Sequence, residues 1–245
     1  MKKSIRLFTT VMVCMAMALC VSCKKDDDNE PGGGNTGGGG NTGGSGGGTI
    51  AGHEYVDLGL PSGLLWATCN VGASSPEDYG DYFAWGETET KSNYEWSTYK
   101  WCNGDLNTLT KYNTNPFYGT VDNKIVLEPA DDAAHVNWGG GWRMPIYKEM
   151  AELRDTCIWT WMTQNGVNGY RVTGSNGNSI FLPAAGYYDD GSLHCAGSNG
   201  NYWSSSLRTD DPDKAYLFFF SNGVYMTYCR RFYGHSVRSV CQSQK

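Results

Sequence analysis

Apolar positions occur mostly in short runs bounded by turn residues, not in long helical stripes. Residues 55–58 and 64–68 are two such runs, and residues 61–63 (Pro-Ser-Gly) between them favour a turn. Residues 86–128 show no sustained hydrophobic period, so we expect long surface loops there. A proline opens residues 76–79, which favours a short helix. This part of the chain therefore predicts two early strands, one short helix and extended loops.

The clearest helical pattern follows Pro145, which suits the first position of a helix because its missing N–H needs no partner there. Four apolar residues then recur at the spacing of a single helical face: Ile146, Met150, Leu153 and Cys157. We expect this face to pack against a sheet. A smaller helix is predicted over residues 131–136.

The last third of the chain has the pattern of antiparallel strands connected by tight turns. Asn-Gly pairs supply the positive φ angles of such turns, and they lie within residues 175–178 and 221–223. Strands are predicted over residues 170–173, 179–182, 202–206, 215–220, 224–228 and 235–241. Strands with one clear helix and long loops indicate a single α+β domain with an antiparallel sheet.

The first residues have the pattern of a secretory leader. Lys2, Lys3 and Arg6 precede an apolar run over residues 7–19, which is short for a bilayer span of about 20 residues. Ser22-Cys23 resembles a bacterial lipobox, so residues 1–22 are expected to be a lipoprotein signal peptide and Cys23 the acylated residue. The alternative is an ordinary cleaved leader and a soluble periplasmic protein.

A charged segment and a glycine-rich segment follow Cys23. Residues 24–30 resemble the charged export tag of Bacteroidota surface lipoproteins. The next stretch of Gly, Asn, Thr and Ser has no apolar side chain to bury and predicts a flexible tether. Residues 23–50 are therefore interpreted as anchor, tag and tether. We expect an outer-membrane protein, exposed at the cell surface, that contacts the membrane through its lipid alone.

Several motifs of the remaining chain together resemble the Fibrobacter succinogenes major paralogous domain. They are residues 54–63 (EYVDLGLPSG), 66–72 (WATCNVG), 82–87 (YFAWGE), 141–145 (GWRMP), 202–206 (YWSSS) and 236–238 (SVR). The resemblance extends over residues 51–241, and residues 51–245 are assigned to this domain. It implies a C-type lectin-like fold. Met144 and Ile146 depart from the Arg-Leu-Pro-Thr helix start of related lectin-like proteins, which removes a hydroxyl N-cap.

The cysteines and the catalytic motifs of these relatives give two further expectations. The lectin-like fold commonly joins its helix to its last strand, which implies a disulfide between Cys157 and Cys241. The alternative is that some of the six cysteines beyond the leader are free and buried. Cys229 and Cys241 are twelve residues apart, so the close cysteine pair of formylglycine-generating relatives is missing. We therefore expect a protein that is not an enzyme.

Charge and metal-binding patterns exclude several classes of ligand. The formal net charge of −6 and the lack of a basic stripe argue against nucleic acid. No His-Glu-x-x-His motif occurs among the four histidines, so no zinc site and no cofactor are expected. Acidic clusters at residues 189–190 and 210–213 could contact Ca²⁺, although such clusters are more often solvated loop ends.

The function that these patterns leave is the binding of a ligand at the protein surface. Tyr187 and Tyr188 leave a predicted strand and enter a loop, so at least one ring should face solvent, whereas Trp66, Trp142 and Trp203 are expected in the core. Aromatic rings beside polar groups suit a glycan or a matrix protein. The candidate ligand-binding residues are Tyr187, Tyr188, Asp189, Asp190, Arg230 and Arg231. Two alternatives are a fimbria-type or shell-type assembly subunit and a cofactor-independent polysaccharide hydrolase.

Overall fold

A computed structural model describes residues 46–243, and the predicted signal peptide, Cys23 and most of the predicted tether lie outside this range. Within it, twelve strands and two α-helices alternate with turns and loops. The strands are β1 Gly47–Ile50, β2 His53–Asp57, β3 Leu64–Asn70, β4 Ile158–Gln164, β5 Val167–Thr173, β6 Ser179–Pro183, β7 Tyr187–Asp189, β8 Ser192–His194, β9 Gly200–Leu207, β10 Lys214–Phe220, β11 Val224–Arg230 and β12 Arg238–Gln242. The helices are α1 Ala133–Trp138 and α2 Tyr147–Thr156.

The strands form four antiparallel sheets in the described part of the chain. Their orders are β1-β2-β3-β12, β11-β10-β9, β4-β5-β6 and β7-β8. The first sheet joins the two ends of the described chain, because β12 pairs with β3. This confirms the coarse prediction of antiparallel sheets with few helices.

Both hairpins predicted from Asn-Gly turns are present, as β5–β6 and β10–β11. Gly177 has the predicted positive φ, at 84°, whereas neither Asn222 nor Gly223 does. Further hairpins were not predicted, and one of them is β1–β2, across Ala51-Gly52. β4 pairs with β5 across Asn165-Gly166, whose φ angles are 47° and 82°. β7 pairs with β8 across Asp190-Gly191, whose φ angles are 45° and 70°. Both turns have the positive φ angles that Asn-Gly and Asp-Gly pairs adopt readily.

Several predicted elements differ from the structure; the smaller helix, for example, is Ala133–Trp138 rather than residues 131–136. The first sheet begins within the predicted tether, because Gly47 of β1 pairs with Val56 of β2. Residues 76–79 form no helix; instead the Asp78 carboxylate accepts hydrogen bonds from the backbone N–H groups of Ser74 and Ser75 and closes a turn. The last strand begins at Arg238 rather than at residue 235.

Helix α2 confirms the predicted apolar face. Met150 and Leu153 are fully buried and pack in the main apolar cluster with Trp66 and Phe218. The prediction that Pro145 is the first helical residue is wrong. The N-cap is Ile146, and the helix begins at Tyr147.

A carboxylate binds the backbone at the start of α2. Glu149 accepts a 2.9 Å hydrogen bond from the backbone N–H of Ile146. The same carboxylate binds both terminal nitrogens of Arg143, at 2.7 and 2.6 Å. This contact to the N-cap N–H is one half of a capping box, and the other half, an acceptor on the side chain of residue 146, is missing.

The predicted core tryptophans are confirmed, and the predicted disulfide is absent. Trp66, Trp142 and Trp203 are each at most 1 % exposed. The indole N–H of Trp203 donates to the carbonyl of Phe83 at 2.9 Å. Cys157 and Cys241 are free thiols in different apolar clusters, and burial raises the pKa of both. They behave as small apolar core residues.

The predicted loop region, residues 86–128, contains only short 3₁₀ turns and isolated bridges. Side chains cap two of these turns, since the carboxylate of Asp105 accepts from the N–H of Asn107 and the amide oxygen of Asn115 accepts from the N–H of Phe117. The 3₁₀ turns in and beside this region are Trp96–Thr98, Leu106–Thr108, Pro116–Tyr118 and Pro129–Asp131. Local side-chain contacts of this kind order loops that have no hydrophobic period.

Candidate functional site

The predicted binding residues Tyr187, Tyr188 and Asp189 lie in strand β7, not in a loop. Because side chains alternate along a strand, Tyr187 and Asp189 share one face and Tyr188 points to the other. The Asp190-Gly191 turn returns the chain so that Tyr187 is opposite His194. We call Tyr187, Asp189, His194, Arg230 and Tyr233 the hairpin site.

Tyr188 supports the hairpin from inside. Its ring contacts those of Tyr82 and Tyr94, with centroid distances of 4.9 and 5.6 Å. Its backbone N–H donates to the carbonyl of Gly234 at 2.8 Å, and the N–H of Gly234 donates back at 3.0 Å. Tyr188 therefore fixes β7 against the segment after β11, and its half-buried ring packs on Tyr82 and Tyr94 rather than beside Tyr187.

Tyr187 lies in a group of aromatic rings at the surface. Its ring stacks on the imidazole of His194, with centroids 5.3 Å apart and planes at 29°. The ring of Tyr233 meets it edge-on, with a centroid distance of 5.9 Å. Tyr187 is half-buried, so its orientation is fixed by neighbours while part of the ring is accessible. This is the arrangement of a stacking platform with little side-chain entropy left to lose.

Asp189 provides an acceptor beside these rings. Burial raises the pKa of its carboxyl group, whereas the nearby His194 and a hydrogen bond with Tyr233 act in the opposite direction. Asp190 is exposed in the turn and has the positive φ angle that the turn requires. The hairpin site thus combines aromatic faces with one oriented carboxyl group.

The two adjacent arginines have different environments, and the prediction for Arg231 is wrong. Arg230 is exposed at the end of β11, and its charge acts on Tyr233. Arg231 is 0 % exposed, and its guanidinium donates to the carbonyls of Lys111, Tyr112 and Pro212 and to the hydroxyl of Tyr99. Arg231 therefore connects loops in the interior and cannot contact a ligand.

A buried histidine lies under the hairpin site. His235 is 1 % exposed, and neither ring nitrogen has a hydrogen-bond partner within residues 46–243. Its ring lies 4.3 Å from that of Trp203 and 6.0 Å from that of Tyr187. Burial lowers the pKa of His235 from 6.5 to about 3, because the charged form would lose its hydration.

Because His235 is buried, the free energy of unfolding should depend on pH. The folded state holds His235 neutral, while the unfolded state binds a proton as the pH falls below 6.5. The free energy of unfolding should therefore fall with decreasing pH between about 6.5 and 3, by up to about 1.4 kcal/mol per unit from this group. Urea unfolding at pH 4 to 6.5 should show a shallower pH slope for His235→Phe than for wild type. Equal slopes would contradict the assignment.

The acidic cluster at residues 210–213, which was considered for Ca²⁺, makes other contacts. Asp210 and Asp211 bind Arg208 and Lys214, and the hydroxyl of Tyr118 donates to Asp211 at 2.7 Å. In the part of the chain that the structure describes, no three His, Cys, Asp or Glu residues form a group that could hold a metal ion. Over the same residues no helix is long and apolar enough to cross a bilayer.

The sequence contained a signal for the residues that were not predicted. The Asp-Gly pair after β7 is a strong hairpin signal, and pairing across a two-residue turn places His194 beside Tyr187. Tyr233 reaches the site through the bridge between Tyr188 and Gly234, which joins distant parts of the chain. Local patterns give no indication of that bridge.

Comparison with known proteins gives no match for this chain. No protein-family model, no curated protein and no solved structure is significantly similar to it.

Proposed function

We propose that this chain is a lipoprotein, anchored in the outer membrane through Cys23, whose lectin-like head binds an extracellular glycan at the hairpin site. The cationic start, the short apolar run and Ser22-Cys23 support the anchor. The glycine-rich segment supports a head held away from the membrane. The motifs that resemble the Fibrobacter succinogenes major paralogous domain support the C-type lectin-like fold.

One observation carries the proposed binding function: the Tyr187 ring, stacked on His194, lies beside Asp189. A sugar has an apolar face that packs on an aromatic ring and hydroxyls that donate to a carboxylate. Arg230, exposed nearby, adds a donor for sugar oxygens. Because Tyr233 and Tyr188 hold this group in place, little ordering is required when a ligand binds. The proposed role is recognition, without catalysis.

Self-assembly is the second candidate, and edge strand β4 favours it. This strand pairs only with β5 in its sheet, and its Ile158 and Trp161 are 69 % and 40 % exposed. A long apolar edge strand can pair with another copy of the chain. Concentration-dependent association of the purified protein would favour this alternative.

Variants of the hairpin site test the glycan proposal. In calorimetric titration of the full chain with a glycan that it binds, Tyr187→Ala and Asp189→Asn should each weaken binding roughly ten- to hundredfold, because each removes one contact worth a few kcal/mol at most. Tyr225→Ala is the matched control, since Tyr225 is a half-exposed ring on β11. Unchanged affinity in folded Tyr187→Ala protein would exclude the hairpin site.

A further inference from the structure

A groove outside the hairpin site is formed by two neighbouring cavities. Their volumes are about 340 and 190 Å³, and both are lined by Thr68 of β3 and by Pro76. The larger cavity continues to His53 and Trp138, and the smaller one continues to Arg171. The shared wall makes them two parts of one groove. The larger part alone is within the range of small-ligand sites, about 300–1,000 Å³.

One end of the groove has a flat aromatic wall. The imidazole of His53 lies on the indole of Trp138, with ring centroids 3.9 Å apart and planes at 9°. Burial lowers the pKa of His53, so the imidazole is neutral at pH 7. Trp138 is itself held edge-on against buried Trp142. This stacked pair offers a rigid, uncharged face of the size of a sugar ring, and the Glu54 carboxylate beside it can accept from hydroxyls.

The other end contains an arginine whose charge is not compensated. Arg171 on β5 is exposed, and its side chain makes no hydrogen bond or ion pair within residues 46–243. Gln164, which lines the same cavity, donates to the Glu77 carboxylate at 2.6 Å and not to Arg171. Most other arginines are compensated, by carboxylates or by backbone carbonyls: Arg143, Arg154, Arg208, Arg231 and Arg238.

The groups around Arg171 suit a carboxylate. A guanidinium binds a carboxylate through two parallel hydrogen bonds, which is its strongest neutralising contact. The hydroxyls of Thr68 and Ser179 line the same cavity and can donate to the oxygens of a bound ligand. Pro76 adds apolar surface to the same cavity.

We propose that this groove binds an acidic oligosaccharide, with one sugar ring on the His53–Trp138 pair and the carboxylate of a neighbouring uronic acid on Arg171. The site is separate from the hairpin site and does not depend on the function proposed there. It gives the head a second binding surface, one that distinguishes acidic from uncharged glycans.

The test is titration of the full chain, purified in detergent, with tetramers of galacturonate, glucuronate and mannuronate. At least one should bind, and its methyl ester, which keeps the ring but removes the charge, should bind at least tenfold more weakly. Arg171→Gln should weaken binding of the acid at least tenfold, equal to about 1.4 kcal/mol, and should leave the ester unaffected. His53→Ala should weaken binding of both.

Two controls separate this site from the hairpin site. Arg230→Gln removes another exposed arginine and should leave uronate binding unchanged, and so should Tyr187→Ala. The melting temperature of Arg171→Gln should equal that of wild type, because Arg171 has no internal partner to lose. The proposal is overturned if no uronate binds, if the acid and the ester bind equally, or if Arg230→Gln weakens binding and Arg171→Gln does not.

Discussion

Arg231→Ala is expected to lower the free energy of unfolding by roughly 3 kcal/mol or more. The guanidinium makes hydrogen bonds of 2.9–3.0 Å to three backbone carbonyls and of 2.8 Å to the Tyr99 hydroxyl. A buried carbonyl that loses its donor costs about 1–3 kcal/mol, since water cannot replace the donor. The ring of Trp85 also loses the cation 5.0 Å from its centroid.

The neighbouring residue provides the control for this variant. Arg230→Ala removes the same side chain from an exposed position, so its effect should be within about 0.5 kcal/mol. Urea unfolding of both variants measures the difference. Arg231→Lys should also be destabilised, because one ammonium cannot reach acceptors on three separate segments. Equal stability of Arg230→Ala and Arg231→Ala would show that the buried hydrogen bonds of Arg231 do not stabilise the fold.

Met150→Asp is expected to destabilise the protein by about 4 kcal/mol or more. Met150 is fully buried between α2 and the strands, in an apolar cluster. The change removes apolar contacts and requires the burial of a carboxyl group without a partner. The total stability of a domain of this size is about 5–15 kcal/mol, so most of that margin would be lost.

Lys148→Asp is the control for the helix face. It places the same carboxylate on an exposed position in the first turn of α2, where a negative charge is compatible with the helix dipole. Glu149 cannot serve as a control, because it binds Arg143 and caps the helix. Circular dichroism melting should show a large decrease for Met150→Asp and almost none for Lys148→Asp. Similar melting temperatures would mean that the buried face is misassigned.

The parts of the fold that were predicted from sequence are those specified locally. The apolar face of α2 follows from residues within three turns of one helix, and the β10–β11 hairpin follows from Asn222-Gly223. The β4–β5 and β7–β8 hairpins had equally local signals in Asn165-Gly166 and Asp190-Gly191. These two could have been predicted.

The differences between adjacent residues could not be predicted. Arg230 and Arg231 are equivalent in sequence, and only contacts with residues 99–112 and 212 bury the second. Likewise, the groove unites side chains from β2, β3, β5 and α1, so no sequence window contains it. Interactions between distant segments depend on the tertiary fold, which a single sequence does not display.

Binding of the wild-type full chain to a glycan array tests the central claim most directly, because the account requires an extracellular glycan as ligand. We expect wild type to retain at least one uncharged glycan and folded Tyr187→Ala protein to lose that signal. An array on which wild type binds no uncharged glycan, or on which Tyr187→Ala binds uncharged glycans like wild type, would contradict glycan binding at the hairpin site.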